Sequence, residues 1–271
     1  MSRAIAAAVI SADGGELTFS IQTIIARGLP EGSQNWIFWF FAAAFLVKMP
    51  AFPLHGWMPD SYRAAPLPAL AVFSAVLSKV GAYGFLRVVL PMIPDASDLF
   101  QTTMLVLAIG SIIYGSAMAF TKTDLRLVLG FSSVAQLGFI TAGIFAFNGS
   151  GAEGALLQMI NHGLSTGGLF ATFGMIYERY HTREIKQLGG LARRIPILSL
   201  FMLLFTFSSI GLPGMNGFAG EFLILLGMFQ RGYADAPALY HFQWTTIAVL
   251  AVFGVVLGAW YMLWLYQRVF F

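Results

Sequence analysis

IPILSLFMLLFTFSSIGLPGMNGFAGEFLILLGMFQ, Ile195 to Gln230, carries a single charged side chain, Glu221, in 36 residues. As one helix it would run about 54 Å, far beyond a hydrocarbon core of roughly 30 Å. The run must therefore be interrupted, and Gly211, Pro213, Gly214, Gly217 and Gly220 supply the means. Proline removes an amide donor and clashes with the preceding turn, while glycine tolerates the unwound backbone that follows. Glu221 comes directly after these residues, followed by Phe222, Leu223, Ile224, Leu225 and Leu226. A carboxyl in lipid is costly unless it faces a partner or water, and unwound backbone at that depth survives only inside protein or beside a cavity. Two separate helices joined by a surface turn are the competing reading, but such a turn does not need apolar flanks of this length on both sides. Break and charge together point to one buried polar site.

The rest of the chain agrees with a membrane setting. Of 271 residues 58% are hydrophobic and 10% charged, with mean hydropathy +0.77, whereas charged residues make up about a quarter of a soluble domain. With no cysteine, the chain offers no disulfide framework, thiolate metal site or iron–sulfur ligation. The net charge of +3 matters through its placement, since basic residues in short loops orient a membrane protein rather than bind nucleic acid. The opening MSRAIAAAVI is too short to span and lacks the pattern of a cleaved signal peptide, so it is expected to be the tail of a helix.

Asn35 to Val47 begins a span that meets Lys48-Met49-Pro50-Ala51-Phe52-Pro53-Leu54-His55, a second helix interrupted beside ionisable residues. Leu67 to Leu90 is a full span with Lys79 near its centre, too deep to snorkel, so its ammonium is expected to face the interior. Two further spans, Phe100 to Phe120 and Leu125 to Phe147, flank the turn Lys122-Thr123-Asp124. Ser132, Ser133 and Gln136 share a face of the second, a pattern that suits either a few bound waters or helix packing. Between Gly154 and Tyr177, the residues Gln158, Asn161, His162, Ser165 and Thr166 recur at helical spacing as one polar stripe. A lone membrane histidine is commonly a packing residue. Here the adjacent amides and hydroxyls favour a proton-handling role, because imidazole takes up and releases protons near neutral pH. Gly163 and Gly167 leave room for a neighbouring helix. A last span covers Trp244 to Tyr266.

Alternating these spans across the membrane collects Arg63, Lys122, Arg126, Arg179, Arg183, Lys186, Arg193, Arg194 and Arg268 on one side. Only Arg27, Arg87 and Arg231 fall on the other, so the first side is cytoplasmic. The expected fold is an all-α, polytopic transmembrane helix bundle of seven spans, two of them discontinuous. The similar treatment of Lys48 and Glu221, each beside a broken helix, is what inverted repeats produce. Lys48, Lys79, His162 and Glu221 are the candidate proton relay. Phosphate loops, dinucleotide fingerprints and metal-ligand clusters are absent from the sequence.

The runs VKMPAFPLHGWMPDSYRAAP, LSKVGAYGFLR, TDLRLVLGFSSVAQLGF, QMINHGLSTGGLF, YERYHTREIKQLGGL and GLPGMNGFAGEFLIL resemble the antiporter-like membrane subunits of respiratory complex I and of multisubunit sodium/proton antiporters. Within that superfamily, Glu221 in GEF and the run YERYHTREI resemble the subunit M group, the counterpart of mitochondrial subunit 4. Tyr62, Leu67 and Leu70 depart from the pattern of that group, which often has histidine and small residues there. The resemblance implies a fold of fourteen helices with two inverted five-helix repeats, of which this chain holds the end of helix six through helix thirteen. Residues 1–94 are then the remainder of the first repeat and 95–271 the second, together one proton-conducting domain. It further implies that Lys48 is the lysine of the first broken helix, without the glutamate that earlier helices pair with it. Lys79 and His162 become the connecting residues and Glu221 the terminal carboxylate. A proton would enter from the cytoplasmic side, reach Lys79 through the stripe around His162, pass to Glu221 and leave opposite. No cofactor is expected in this chain; NADH, flavin, iron–sulfur clusters and quinone are expected in partner subunits. The partners implied are other complex I membrane subunits, the lipid bilayer and protons, in a bacterial inner membrane. A sodium/proton antiporter subunit, or a structural membrane subunit with its charges in static ion pairs, are the alternatives.

Overall fold

The computed structural model describes residues 20–235 and 241–271, so the expected helix tail within Met1–Ile10 lies outside the described residues. The described chain is a helical bundle. A short α1 (Ile21–Arg27) precedes α2 (Glu31–Lys48), which stops at the proline-rich segment and resumes as the short α3 (Met58–Ala64). α4 (Leu67–Met92) follows, with five-residue π turns at Phe73–Leu77 and Phe85–Val89. Next come α5 (Pro94–Leu99), α6 (Gln101–Thr121), α7 (Leu125–Ile144) and the 32-residue α8 (Gly149–Tyr180). After a basic loop and one turn of α9 (Leu191–Arg194), the opening stretch forms α10 (Pro196–Ser209) and α11 (Asn216–Gln230), and α12 (His241–Phe270) closes the chain. Among the described residues, four continuous segments are long and apolar enough to cross a membrane: α4, α6, α7 and Phe242–Phe270.

α7 is the axis of the bundle, with every residue from Leu125 to Ile144 buried. Its neighbours approach through glycine. A Cβ on Gly138 would fall 2.7 Å from the Ala108 carbonyl of α6, and one on Gly143 would fall 2.8 Å from the Gly151 carbonyl of α8. Helices in lipid gain from such close backbone approach because no hydrophobic effect drives them together there. The basic loop is tied to the start of α7: Leu125 N–H donates to Arg183 O (3.1 Å) and Ile185 N–H to Thr123 O (3.0 Å). Arg126, counted on the cytoplasmic side on sequence grounds, is buried at the start of α7. Its guanidinium donates to the carbonyls of Arg63 (3.2 Å) and Ala65 (3.1 Å) at the end of α3.

The apolar interior is divided in two. One cluster holds Phe38, Phe85, Met104, Ile140, Phe145 and Ile224; the other holds Met58, Leu125, Val128, Phe173, Leu191 and Leu265. α4, α7 and α8 each pass from one cluster to the other, and in these three the switch falls where buried polar residues lie. In α7 the residues up to Val134 belong to the second cluster and those from Leu137 onward to the first, with Gln136 between. In α8 the switch falls between Met159 and Leu169, across the polar stripe; in α4 it falls between Leu70 and Ala82, around Lys79. A polar layer thus lies between two dry apolar ones.

The glycine contacts make a direct stability test. Gly138→Val should destabilise the full-length protein by about 1–3 kcal/mol through overpacking against α6. Gly149→Ala, where an added Cβ meets nothing within 4 Å, should leave thermal unfolding in detergent near that of the unchanged protein.

Candidate functional site

The second break spans Ile210–Met215, between α10 and α11. Gly211 and Gly214 take positive φ values of 64° and 94°, which glycine adopts without the penalty a Cβ would bring. Gly217 and Gly220, assigned to the break on sequence grounds, lie inside α11 instead. Their role is close packing: a Cβ on Gly217 would sit 2.0 Å from Ser208 O, and one on Gly220 would sit 2.4 Å from Gln158 Oε1. Glu221 is therefore more than a turn into the second half-helix, yet it reaches back to the break, because a Cβ on Gly211 would meet Glu221 Oε2 at 2.2 Å.

Glu221 is 4% exposed. Gln136 Nε2 of α7 donates to its Oε1 at 2.8 Å and also to the freed carbonyl of Ser209 at 3.1 Å. Gln158 Nε2 of α8 donates to the same carboxylate oxygen at 3.3 Å and to Gln136 Oε1 at 3.0 Å. Carboxylate, helix end and two amides form one closed network. Among the described residues no cation pairs with Glu221; the one ion pair is Arg63–Asp60 on the surface, at 3.6 Å.

All five polar residues of the α8 stripe are buried, but they divide into two sets. Gln158, Asn161 and Ser165 face the broken helix. Asn161 Nδ2 donates to Asn216 O (2.7 Å), and the Ser165 hydroxyl bonds to that of Ser208, which in turn donates to Asn216 Oδ1 (2.6 Å). These bonds tie α8 to the start of α11 and the end of α10, which sequence spacing alone did not link. His162 and Thr166 form the other set, with the hydroxyl of Thr166 3.0 Å from His162 Nδ1.

Lys79 is 7% exposed on α4. Its ammonium donates to Ser74 O (2.5 Å) and Ser78 Oγ (3.2 Å). The π turn at Phe73–Leu77 shifts the backbone bonding there, so that Ser78 N–H donates to Phe73 O (3.2 Å). α4 and α8 meet closely, since a Cβ on Gly163 would fall 2.9 Å from Ala75 O and one on Gly167 would fall 3.3 Å from Ala75 Cβ.

Lys48 stands apart. It is exposed at the end of α2, and among the described residues nothing bonds its ammonium. The break after it is nevertheless well satisfied: Phe52 N–H donates to Ser111 Oγ (2.9 Å), and the Trp57 indole donates to Val47 O (2.9 Å). His55 is buried there among Phe52, Tyr114 and Phe131. Hydrogen bonds thus join Lys79 with Ser74, Ser78 and Ser133, and Glu221 with Gln136 and Gln158; His162 stands with Thr166, and Lys48 lies exposed, bonded to none of them. Ser74 and Ser78 were legible only as small residues near Lys79, five and one positions before it. Chemically, these groups offer proton acceptors of three kinds, an amine, an imidazole and a carboxylate, each bonded to its own amides or hydroxyls.

Residues 4–258 match the family described as NADH:quinone oxidoreductase/Mrp antiporter, TM. The chain is 44% identical to NADH-quinone oxidoreductase subunit M of Rhodobacter capsulatus over 90% of its own length and 45% of the relative's. It is 39% identical to NADH-ubiquinone oxidoreductase chain 4 of Marchantia polymorpha over 94% of this chain and 49% of that one. The chain therefore spans about half the length of the curated relatives it matches. Among solved structures, a chain of respiratory complex I from Thermus thermophilus with bound NADH superposes with TM-score 0.88 at 33% identity, over 99% of this chain and 55% of that one. A chain of the Mrp complex from Dietzia shares the fold, with TM-score 0.83 at 21% identity over 99% of this chain and 48% of that one.

Gly211→Ala should disturb this site selectively. The new Cβ would meet Glu221 Oε2 at 2.2 Å and take a φ of +64°, a backbone cost of about 1–2 kcal/mol before the clash is counted. The expected outcome is a lowered thermal midpoint together with loss of activity in the full-length protein. Gly189→Ala, on the loop surface where a Cβ meets nothing within 4 Å, should show neither.

Proposed function

The chain belongs to the NADH:quinone oxidoreductase/Mrp antiporter transmembrane family, and from that membership we propose that it is a proton-translocating membrane subunit of a respiratory NADH:quinone oxidoreductase. The observation that carries this reading is the carboxylate of Glu221, buried beside a helix break and held by two neutral amides, with no cation paired to it among the described residues. A buried carboxylate without a counter-charge is expensive in its ionised form and is retained where it exchanges a proton.

In this reading a proton taken from the cytoplasmic side is held at Lys79, crosses the polar layer that contains His162, and reaches Glu221 before release on the opposite side. Quinone chemistry in other subunits changes the charge state at the Lys48 end, and that change alters the proton affinity of Lys79. NADH, flavin, iron–sulfur clusters and quinone belong to those other subunits, in a bacterial inner membrane. Residues 1–94 belong to a first structural repeat and 95–271 to a second, inverted one. Leu212, Pro213 and Gly214 of the break lie exposed on the outside of the bundle. Unwound backbone at membrane depth is not stable against lipid, which supports a neighbouring membrane subunit as the cover for this face.

A sodium/proton antiporter subunit is the second reading, supported by the shared fold of the Dietzia chain. The higher identity to NADH-quinone oxidoreductase subunits favours the first. A structural subunit with static ion pairs finds no support in the geometry, because neither Lys79 nor Glu221 has an opposite charge within 4 Å among the described residues.

In the assembled full-length complex, Lys79→Ala should lower proton pumping and coupled quinone reduction at least about tenfold with the subunit still incorporated. Glu221→Gln keeps an acceptor for both glutamine amides but loses the exchangeable proton, and should lower pumping to a similar extent. Proteoliposomes with an internal pH dye measure pumping, and native gels measure incorporation. Normal pumping by both variants would end the reading, whereas loss of assembly in both would return the chain to a structural role.

A further inference from the structure

A groove of about 690 Å³ separates the first turns of α4 from the last turns of α8. Its sides are apolar, with Leu67 and Ala71 of α4 facing Phe170, Ala171, Gly174 and Met175 of α8. At one end stand Arg126 of α7 and Tyr177, whose ring lies 5.4 Å from the guanidinium carbon. Leu67 begins α4, Leu125 begins α7 and Tyr180 ends α8. This end therefore lies where the apolar spans meet the basic loops, at the depth of lipid headgroups. From Tyr177 the groove follows α8 to Phe170, two turns or about 10 Å into the apolar zone.

Arg126 is 6% exposed, and among the described residues no carboxylate lies within 4 Å of its guanidinium. Nη1 donates to the neutral carbonyls of Arg63 and Ala65, while Nε is buried without a partner. Asp124, the nearest acid in sequence, caps α7, its Oδ1 accepting from the main-chain N–H of Arg126 at 2.9 Å. Arg183 donates to the same Arg63 carbonyl at 3.2 Å, which brings a second guanidinium to the spot. Glu178, the one acid lining the groove, is exposed at its rim. A buried guanidinium without an anion is costly, and the fork of its N–H groups matches a phosphate. Ala171 and Met175 also line a second apolar groove of about 600 Å³, between Thr172 and Phe201, with Arg179 at its end.

We propose that the two grooves seat one anionic phospholipid from the leaflet on the basic side of the membrane. Its phosphate lies at Arg126 and Arg179, with one acyl chain on each side of the ridge formed by Ala171 and Met175. Charge selects the headgroup, and the apolar walls select the chains. A water-soluble phosphate would leave the grooves unfilled, and an apolar helix from a neighbouring subunit would leave Arg126 without a counter-charge. The site shares no residue with Lys79, His162, Glu221 or the groups bonded to them, so it stands apart from the proton-carrying role of those residues.

The test uses the full-length subunit in its assembled membrane complex. Phosphatidylglycerol and phosphatidylcholine, each with a photoreactive diazirine in one acyl chain, serve as probes, and peptide mass spectrometry maps the labelled residues. Phosphatidylglycerol should label residues 167–175 at least about fivefold more than phosphatidylcholine. Arg126→Gln, which keeps an N–H donor but removes the charge, should abolish that preference, whereas Arg126→Lys should retain it. Gly174→Leu, whose side chain starts 3.9 Å from Leu67 Cβ without a backbone clash, should fill the first groove and lower phosphatidylglycerol labelling about as much. Equal labelling by both probes in the unchanged complex would mark ordinary boundary lipid and overturn the proposal. Absence of labelling would mean that a partner's helix covers the grooves, and the proposal falls with it. A preference that survives Arg126→Gln overturns it as well. Should Arg126→Gln not assemble, Gly174→Leu decides, since undiminished phosphatidylglycerol labelling of that variant would place the lipid outside the groove.

Discussion

The side-chain amide of Gln136 bonds at once to the carbonyl at the end of α10 and to the carboxylate of Glu221, and the polar interior depends on this double contact. In apolar surroundings a released backbone carbonyl and a carboxyl group each need a partner, because water is not at hand to supply one. A glutamine has two N–H donors and meets both demands from one position. A lysine there would neutralise Glu221 and fix its charge. The neutral amide leaves the carboxyl free to gain or lose a proton while its position is held.

Around this contact the bundle keeps polar groups in one layer between two apolar clusters. Glycine makes the apolar parts dense, as at Gly143 against Gly151 and at Gly154, where a Cβ would fall 2.6 Å from the Ile224 amide of α11. Dense packing of this kind excludes water from the space between Glu221 and the far end of α11.

The two helix breaks solve the same problem in different ways. After α2, the freed groups are met by Ser111 and Trp57, and aromatic rings close over His55. After α10, the Ser209 carbonyl is met from within by Gln136, while Leu212, Pro213 and Gly214 remain on the outer face. The first break leaves its lysine exposed. The second holds its carboxylate inside and turns its backbone outward.

Much of this was determined by sequence alone. The interrupted apolar run at Ile195–Gln230, the burial of Lys79 and the polar stripe on α8 all follow from local spacing and from the cost of charge in lipid, which act along the chain and need no knowledge of neighbours. The basic loops likewise announce an orientation by composition. Only the tertiary structure decided which polar groups meet. Gln136 and Glu221 are 85 positions apart, and Ser74 and Ser133 are 59 apart, so no periodicity links them. The same holds for Gly217 and Gly220, which by composition belong to the break but in fact sit inside α11, where contact with Ser208 and Gln158 excludes any side chain. Arg126 carries the lesson furthest: along the chain it counts only as a charge on one side of the membrane, whereas its partners, the carbonyls of Arg63 and Ala65, lie more than 60 positions away. Charge and hydropathy are properties of a residue, whereas hydrogen-bond satisfaction is a property of a pair, and pairs across helices exist only once the helices have packed.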